Sequence, residues 1–259
     1  MTSRIFAFDI DGTLYNSHHE VLPSTRQGLR QLQQQGDIVM IASGRSLAQA
    51  RPVINDLHLD SYILCNGAAA FVHGKCIYKN MMDKAQLSDL LQAMNALGLD
   101  MSFVTLEHSY RSHEHYGASL DEATASFGEG IPEYRPFEEI DEEICQALIY
   151  CPEDKEQLLD PYRDRFRFVR WHRHAVDVLP LNSSKAHTLV KVAEHLQQSM
   201  NDVYAFGDGN NDYEMLQTVG HGVAMGNAVQ RTKDIAEYVT DTCDQDGIYK
   251  ALQHYQVIK

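Results

Sequence analysis

Four apolar runs in this chain stop in the same manner, and that repetition constrains its fold more than any other feature. Residues 4–8 lead into Asp9-Ile10-Asp11-Gly12-Thr13, and residues 37–42 into Ser43-Gly44-Arg45. Residues 62–65 lead into Asn66-Gly67, and residues 203–206 into Gly207-Asp208-Gly209-Asn210-Asn211-Asp212. Each run is short and mostly apolar, the pattern of a strand buried on both faces. Helical signals follow. One covers 24–35, with Ser24 placed to cap it, Leu29 and Leu32 at helical spacing and Gly36 as its stop. Another covers 46–57, bent or restarted at Pro52, and a third 184–196. Strands joined by single helices imply a parallel sheet with helices on its faces. A hairpin over 68–78 turning at His73-Gly74, short strands at 223–225 and 238–240, and a last helix over 248–255 complete this part.

The middle of the chain has another rhythm. Asp83 is placed to cap a helix carrying Leu87, Leu90, Leu91 and Met94 on one side. Strand signals follow at 101–106, 144–150, 166–171 and 175–179. This reads as α+β with antiparallel pairing. Residues 1–81 and 183–259 are therefore expected to form one α/β core, with 82–182 inserted as a second domain.

Composition removes several function classes. The formal net charge is −14 over 259 residues, which opposes a broad grip on nucleic acid or an anionic membrane. No run approaches the roughly 18–20 apolar residues of a spanning helix, and the N-terminus has no leader pattern. The five cysteines are scattered and form no Cys-x-x-Cys, so reduced thiols in a cytoplasm are expected. The expected partner is a small molecule, bound by a monomer or homodimer.

Ligands of open α/β sheets bind outside the carboxyl ends of the strands, where all four polar clusters fall. Strand alternation would point Asp9 and Asp11 to one side, and Asp208 can join them from a neighbouring strand. They could be separate solvated turn acids. Convergence of three acids in an acidic chain instead demands a cation, and all-oxygen ligation suits Mg²⁺. A metal beside hydroxyl, amide and ammonium donors suits phosphoryl transfer, where catalysis is mainly positioning and charge stabilisation. Ser43 offers a hydroxyl, Ser43 and Gly44 offer backbone N–H groups near a helix start, and Lys185 a compact cation. A carboxylate so placed can attack phosphorus, and a second can move the proton of the leaving alcohol.

These residues resemble a known family. DIDGT (9–13), SGR (43–45), Lys185 and GDGNND (207–212) look like the four motifs of the haloacid dehalogenase-like (HAD) phosphatases, in order. CNGA (65–68), NSSKA around Lys185 and AMGNA (224–228) look like the Cof-type subfamily. The one departure is Asn182-Ser183, where many relatives have glycine and valine. The resemblance implies a Rossmann-like parallel-sheet HAD core with an inserted α+β cap domain. It implies Asp9 as nucleophile and Mg²⁺ ligand, and Asp11 as acid/base that binds Mg²⁺ through its carbonyl. It makes Asp208 a ligand, with Asp212 supporting the metal shell directly or through water. Ser43, Lys185 and Asn211 would hold phosphate. Residues 14–42 are too few for a cap, whereas 44–184 can hold one, the Cof-type arrangement. The expected activity is a Mg²⁺-dependent phosphatase of small phosphorylated metabolites such as sugar phosphates, nucleotides or phosphorylated cofactors, working through an aspartyl phosphate. The alternatives are a phosphomutase, a dedicated disaccharide-phosphate phosphatase, or a phospho-ligand sensor without turnover.

Other features bear on specificity. GDGNND mimics a dinucleotide fingerprint, but Asp212 replaces the third small residue. In the basic stretch 163–174, alternation places Phe166, Phe168, Arg170 and His172 on one strand face. Arg45, Asn66, Arg170 and His172 are the candidates for selecting the leaving group. The histidines of 107–117 read as loop or surface, and Asp177 as a solvent-facing strand position.

Overall fold

A computed structural model describes residues 3–126 and 130–259. The chain divides into two compact units. One comprises Met1–Arg45, Gln49–Lys79 and Ser184–Lys259, the other Ser46–Ala48 and Asn80–Ser183.

In chain order, the first unit begins with β1 (Ile5–Phe8), α1 (Pro23–Gln34), β2 (Ile38–Ala42), all but the first two residues of α2 (Leu47–Asp56), β3 (Tyr62–Leu64), β4 (Ala69–Val72) and β5 (Lys75–Lys79). The second supplies α3 (Lys84–Ala96), β6 (Asp100–Val104), β7 (Ser109–Arg111), α4 (Ala118–Ser126), β8 (Glu133–Tyr134), β9 (Gln146–Tyr150), β10 (Phe166–His172) and β11 (Ala175–Pro180). The first then resumes with α5 (Lys185–His195), β12 (Val203–Gly207), α6 (Tyr213–Thr218), β13 (His221–Ala224), α7 (Gln230–Ile235), β14 (Tyr238–Val239) and α8 (Gly247–His254).

The first unit is an eight-stranded sheet in the order β14-β13-β12-β1-β2-β3-β4-β5. The six strands from β14 to β3 pair in parallel, and β4 and β5 fold back as the expected antiparallel hairpin. The chain leaves β1 towards β2 on one side and returns through β12 on the other. The strand order therefore reverses beside β1, which opens a crevice at the carboxyl ends there. All four residues of β1 are buried, because helices cover both faces. Ile5 and Ala7 pack in one layer with Leu189 and Val192 of α5 and Leu216 of α6. On the opposite face Phe6 stacks on Tyr204 and Phe8 on Phe206, each pair with centroids 4.6 Å apart. The register that aligns them also sets Asp9 level with the end of β12.

The second unit carries a sheet in the order β10-β11-β9-β6-β7-β8, antiparallel except between β7 and β8. Leu87, Leu90, Leu91 and Met94 of α3 pack on Met101, Phe103, Ile149, Val176 and Val178. Asp83 caps this helix as expected, accepting from the Gln86 N–H at 2.8 Å.

Several local expectations are corrected. α1 starts at Pro23, whose fixed φ suits a first helical position, while the Ser24 hydroxyl donates to Asp246 instead of capping. α2 does not restart at Pro52, one of the two expected alternatives, but runs through it as one helix. Within 107–117, residues Ser109–Arg111 form a strand, because β6 offers them a free edge. Asp177 is buried, since β11 lies inside the sheet between Val169 of β10 and Leu148 of β9.

Leu189 is fully buried between α5 and the sheet. Leu189→Ala is expected to destabilise by roughly 2–5 kcal/mol, read as a lower thermal midpoint by calorimetry.

Candidate active site

The site is built where β1 and β12 end. Asp9 extends the ladder one residue past β1, its N–H donating to the Phe206 carbonyl at 3.0 Å. The backbone then turns sharply, with the Thr13 and Tyr15 N–H groups both on the Ile10 carbonyl. Gly12 makes that turn at φ +72°, and a Cβ there would lie 2.3 Å from Asp208 Oδ2. Glycine is required twice, for the dihedral and for the approach of Asp208.

Lys185 opens α5 behind Ser184, whose hydroxyl accepts from the His187 N–H at 3.1 Å. This cap aims the lysine inward, where it is 0 % exposed. Its Nζ donates to Asp9 Oδ1 at 2.6 Å and to Asp212 Oδ1 at 2.7 Å. The other oxygen of Asp212 accepts from the Asp208 and Gly209 N–H groups at 3.0 and 2.9 Å. The loop after β12 is thus wound around its own last acid. Asp9, Asp208 and Asp212 each offer a carboxylate oxygen, all within 4.8 Å of one another.

Three carboxylates crowd around one ammonium, which bonds two of them, Asp9 and Asp212. Burial, then the charges of Asp212, Asp208 and Asp11, push the Asp9 carboxyl well above its ordinary range, against the pull of Lys185. Burial and then Asp212 push Asp208 up to about 7. Burial alone would lower the Lys185 pKa, but Asp212 and Asp9 outweigh it and raise it. An all-oxygen cluster with surplus negative charge fits a hard divalent cation.

A carboxyl raised from 3.8 towards 7 is charged in the unfolded chain before the folded one. Between those values the unfolded state binds fewer protons, so metal-free stability falls as pH rises through that window. The thermal midpoint is therefore expected to rise more on adding a divalent cation at pH 7.5 than at pH 5. Equal shifts by scanning calorimetry at the two values would contradict this electrostatic account.

Asp11 lies near enough to Asp9 for its charge to act there, while its carboxylate is bonded by Arg45. β1 stops at Phe8, so strand alternation no longer governs residue 11. Both Asp11 oxygens accept from the Arg45 fork, Nε and Nη2 each at 2.7 Å, and the guanidinium lies 5.6 Å from the Tyr15 ring centre. Ser43 is buried, and its hydroxyl accepts from the Arg45 N–H at 3.2 Å. The Ser43 N–H is taken by the Ile63 carbonyl, which removes it from the expected anion donors. Gly44 packs against the Asn66 amide, where an added Cβ would lie 3.1 Å away.

Asn66 stands at φ 52° in the tight Cys65–Gly67 turn, buried, with Oδ1 accepting from Asn211 Nδ2 at 3.0 Å. That bond joins the turn after β3 to the loop after β12. Behind it the Thr188 hydroxyl of α5 donates to the Gly67 carbonyl at 2.7 Å. Asp9, Asp11, Ser43, Gly44, Arg45, Asn66, Lys185, Asp208, Asn211 and Asp212 therefore gather at one sheet edge.

Asn227 was not among the expected site residues, yet its Nδ2 donates to the Gly12 carbonyl at 2.8 Å and to Asp208 Oδ2 at 3.3 Å. The only local signal was AMGNA, in which a lone asparagine announces no chemistry.

Arg170 and His172 lie in the other unit. Arg170 Nε donates to Glu156 Oε2 at 2.5 Å, and Nη1 to the Cys151 and His172 carbonyls. The register of β10 shifts between Arg170 and His172, so the strand face expected to hold both is broken by a bulge. His108 of the histidine-rich stretch pairs with Glu142 at 3.0 Å.

Comparison with known proteins agrees with this geometry. A family model described as haloacid dehalogenase-like hydrolase matches residues 6–252. The chain is 37 % identical over 262 residues to "Putative phosphatase YkrA" of Bacillus subtilis (strain 168), covering 100 % of both. It is 29 % identical over 276 residues to "HMP-PP phosphatase" of Serratia proteamaculans (strain 568), covering 97 % of this chain and 95 % of the relative. The solved structure of the HAD subclass IIB sugar phosphatase BT4131 superimposes with a TM-score of 0.87 at 28 % identity, covering 99 % of this chain and 100 % of that one.

Proposed function

The chain belongs to the haloacid dehalogenase-like hydrolases, and on that footing we propose that it is a Mg²⁺-dependent phosphatase of small phosphorylated metabolites. The observation that carries this reading is the buried Lys185 shared by Asp9 and Asp212, with Asp208 beside them. Relatives named for a phosphatase of HMP-PP and for a sugar phosphatase support the substrate class. Among the described residues no helix is long and apolar enough to cross a membrane.

Asp9 and Asp208 would hold Mg²⁺, together with the Asp11 carbonyl and with Asp212 directly or through water. When bound, the ion supplies positive charge that offsets repulsion between these acids and a phosphoryl group. Lys185 holds Asp9 in place and adds a second positive charge facing the phosphate. Ser43, Gly44 and Asn211 complete the phosphate-holding set. Asp9 attacks phosphorus, the bond to the leaving alcohol oxygen breaks, and Asp11 gives that oxygen a proton. Asp11 then takes a proton from the water that attacks the aspartyl phosphate, which releases phosphate and restores Asp9. Both Asp11 oxygens rest on Arg45, so the fork must yield one of them during the cycle. Arg45 is thereby a candidate for coupling leaving-group binding to proton transfer.

Phosphate release from a panel of phosphomonoesters, with and without Mg²⁺, tests the reading. Asp9→Asn is expected to abolish turnover. Asp11→Asn is expected to lower kcat by about 10²–10⁴-fold, most for poor alkoxide leaving groups. No release from any substrate, or an undiminished rate in Asp9→Asn, would sink the assignment.

A further inference from the structure

Asn227 follows β13 and its side chain is exposed, yet it has three polar partners. Its Nδ2 end meets two oxygens, the Gly12 carbonyl and Asp208 Oδ2, at 2.8 and 3.3 Å. Its Oδ1 end accepts from the Cys243 N–H at 2.9 Å. This partner set fixes the orientation of the amide, since the flipped group would set its oxygen against two oxygens and its NH₂ against an N–H.

The Cys243 end belongs to a turn that also holds the first-motif loop elsewhere. Asp244 Oδ1 accepts from the Ser17 N–H at 2.9 Å and hydroxyl at 2.8 Å, and Asp246 accepts from the Ser24 hydroxyl. The Gly226 N–H, one residue before Asn227, donates to the Asp241 carbonyl of the same turn at 3.0 Å. Asn227 is thus seated on one piece of chain and donates into two others. One carries Asp11 and Gly12, and Asn227 steadies its Gly12–Thr13 peptide at the Gly12 carbonyl. The other carries Asp208, whose Oδ2 it draws to the same point.

We propose that Asn227 is a positioning residue for the divalent cation. It holds the Asp208 carboxylate and the peptide between Gly12 and Thr13, one residue past Asp11, in one fixed relation, so that ligands from two distant motifs present a single binding geometry. Outer partners that orient metal ligands are typically worth about 10–100-fold in metal affinity. This inference rests on the reading of Asp9 and Asp208 as the Mg²⁺ site.

The test uses the full-length protein stripped of metal and titrated with Mn²⁺, a spectroscopic substitute for Mg²⁺, with free ion counted by electron paramagnetic resonance. Asn227→Ala removes all three bonds. Asn227→Asp keeps an acceptor for the Cys243 N–H and replaces the donor by a second acceptor. Both are expected to bind Mn²⁺ about 10-fold more weakly than the parent protein. The Mg²⁺ concentration for half-maximal activity should rise by a similar factor, while kcat at saturating Mg²⁺ changes far less. Metal-free thermal midpoints, measured alongside, show whether either variant has lost its fold. Parent-like Mn²⁺ affinity in a folded Asn227→Ala would overturn the proposal. Parent-like affinity in Asn227→Asp would also overturn it, because shape without donation would then suffice. Failure of the parent protein to bind Mn²⁺ would remove the cation reading itself, a result distinct from both.

Discussion

A lysine with no exposure to water, held between two aspartates, is the interaction on which the rest of this structure depends. An ammonium buried in that way is tolerable only with charged partners in good geometry. Lys185 has them in Asp9, at the end of β1, and Asp212, at the start of α6. It therefore ties a helix start, a strand end and a loop to one point. Moving any of the three would leave a buried charge without its counterpart, which typically costs about 3–5 kcal/mol. The precision of the site and the stability of its surroundings have a common source.

The same arrangement leaves negative charge in excess, and that excess has a use. Asp9 and Asp208 are pushed up mainly by their own burial, and neighbouring acids add to it. A cluster in this condition suits a hard divalent cation, whose charge would offset the crowded carboxylates. The Asp11 carboxylate is bonded by the Arg45 fork and stands outside the cluster of Asp9, Asp208 and Asp212. Exclusion of water, a requirement for strong electrostatics at phosphorus, is served on the core side by the packed layers beneath β1 and β12.

Much of this was legible in the sequence because it is written in short-range terms. Buried parallel strands show as unbroken apolar runs, and their polar ends show where the sheet edge lies. Asp83 announced its cap by position alone. What escaped depended on neighbours far away in the chain. Ser24 and Asp177 were misplaced because an aspartate of the 241–247 turn and the interior position of β11 decided their surroundings. The Arg170–His172 face failed because one bulge shifts strand alternation. Asn227 escaped because an asparagine in a loop has no meaning until the atoms around its amide are known.

The sequence by itself determined that the chain carries a parallel sheet with an inserted α+β segment, and that acids, a hydroxyl, amides and a lysine gather at the sheet's carboxyl edge. It could do so because strand burial and motif order are local properties. Only the tertiary structure decided which oxygen meets which donor. It set the Asp11 carboxylate on Arg45, took the Ser43 N–H for the sheet, and brought Asn227 to Gly12 and Asp208. Hydrogen bonds are made or lost over a few tenths of an ångström, and spacing along a chain does not fix distances at that scale.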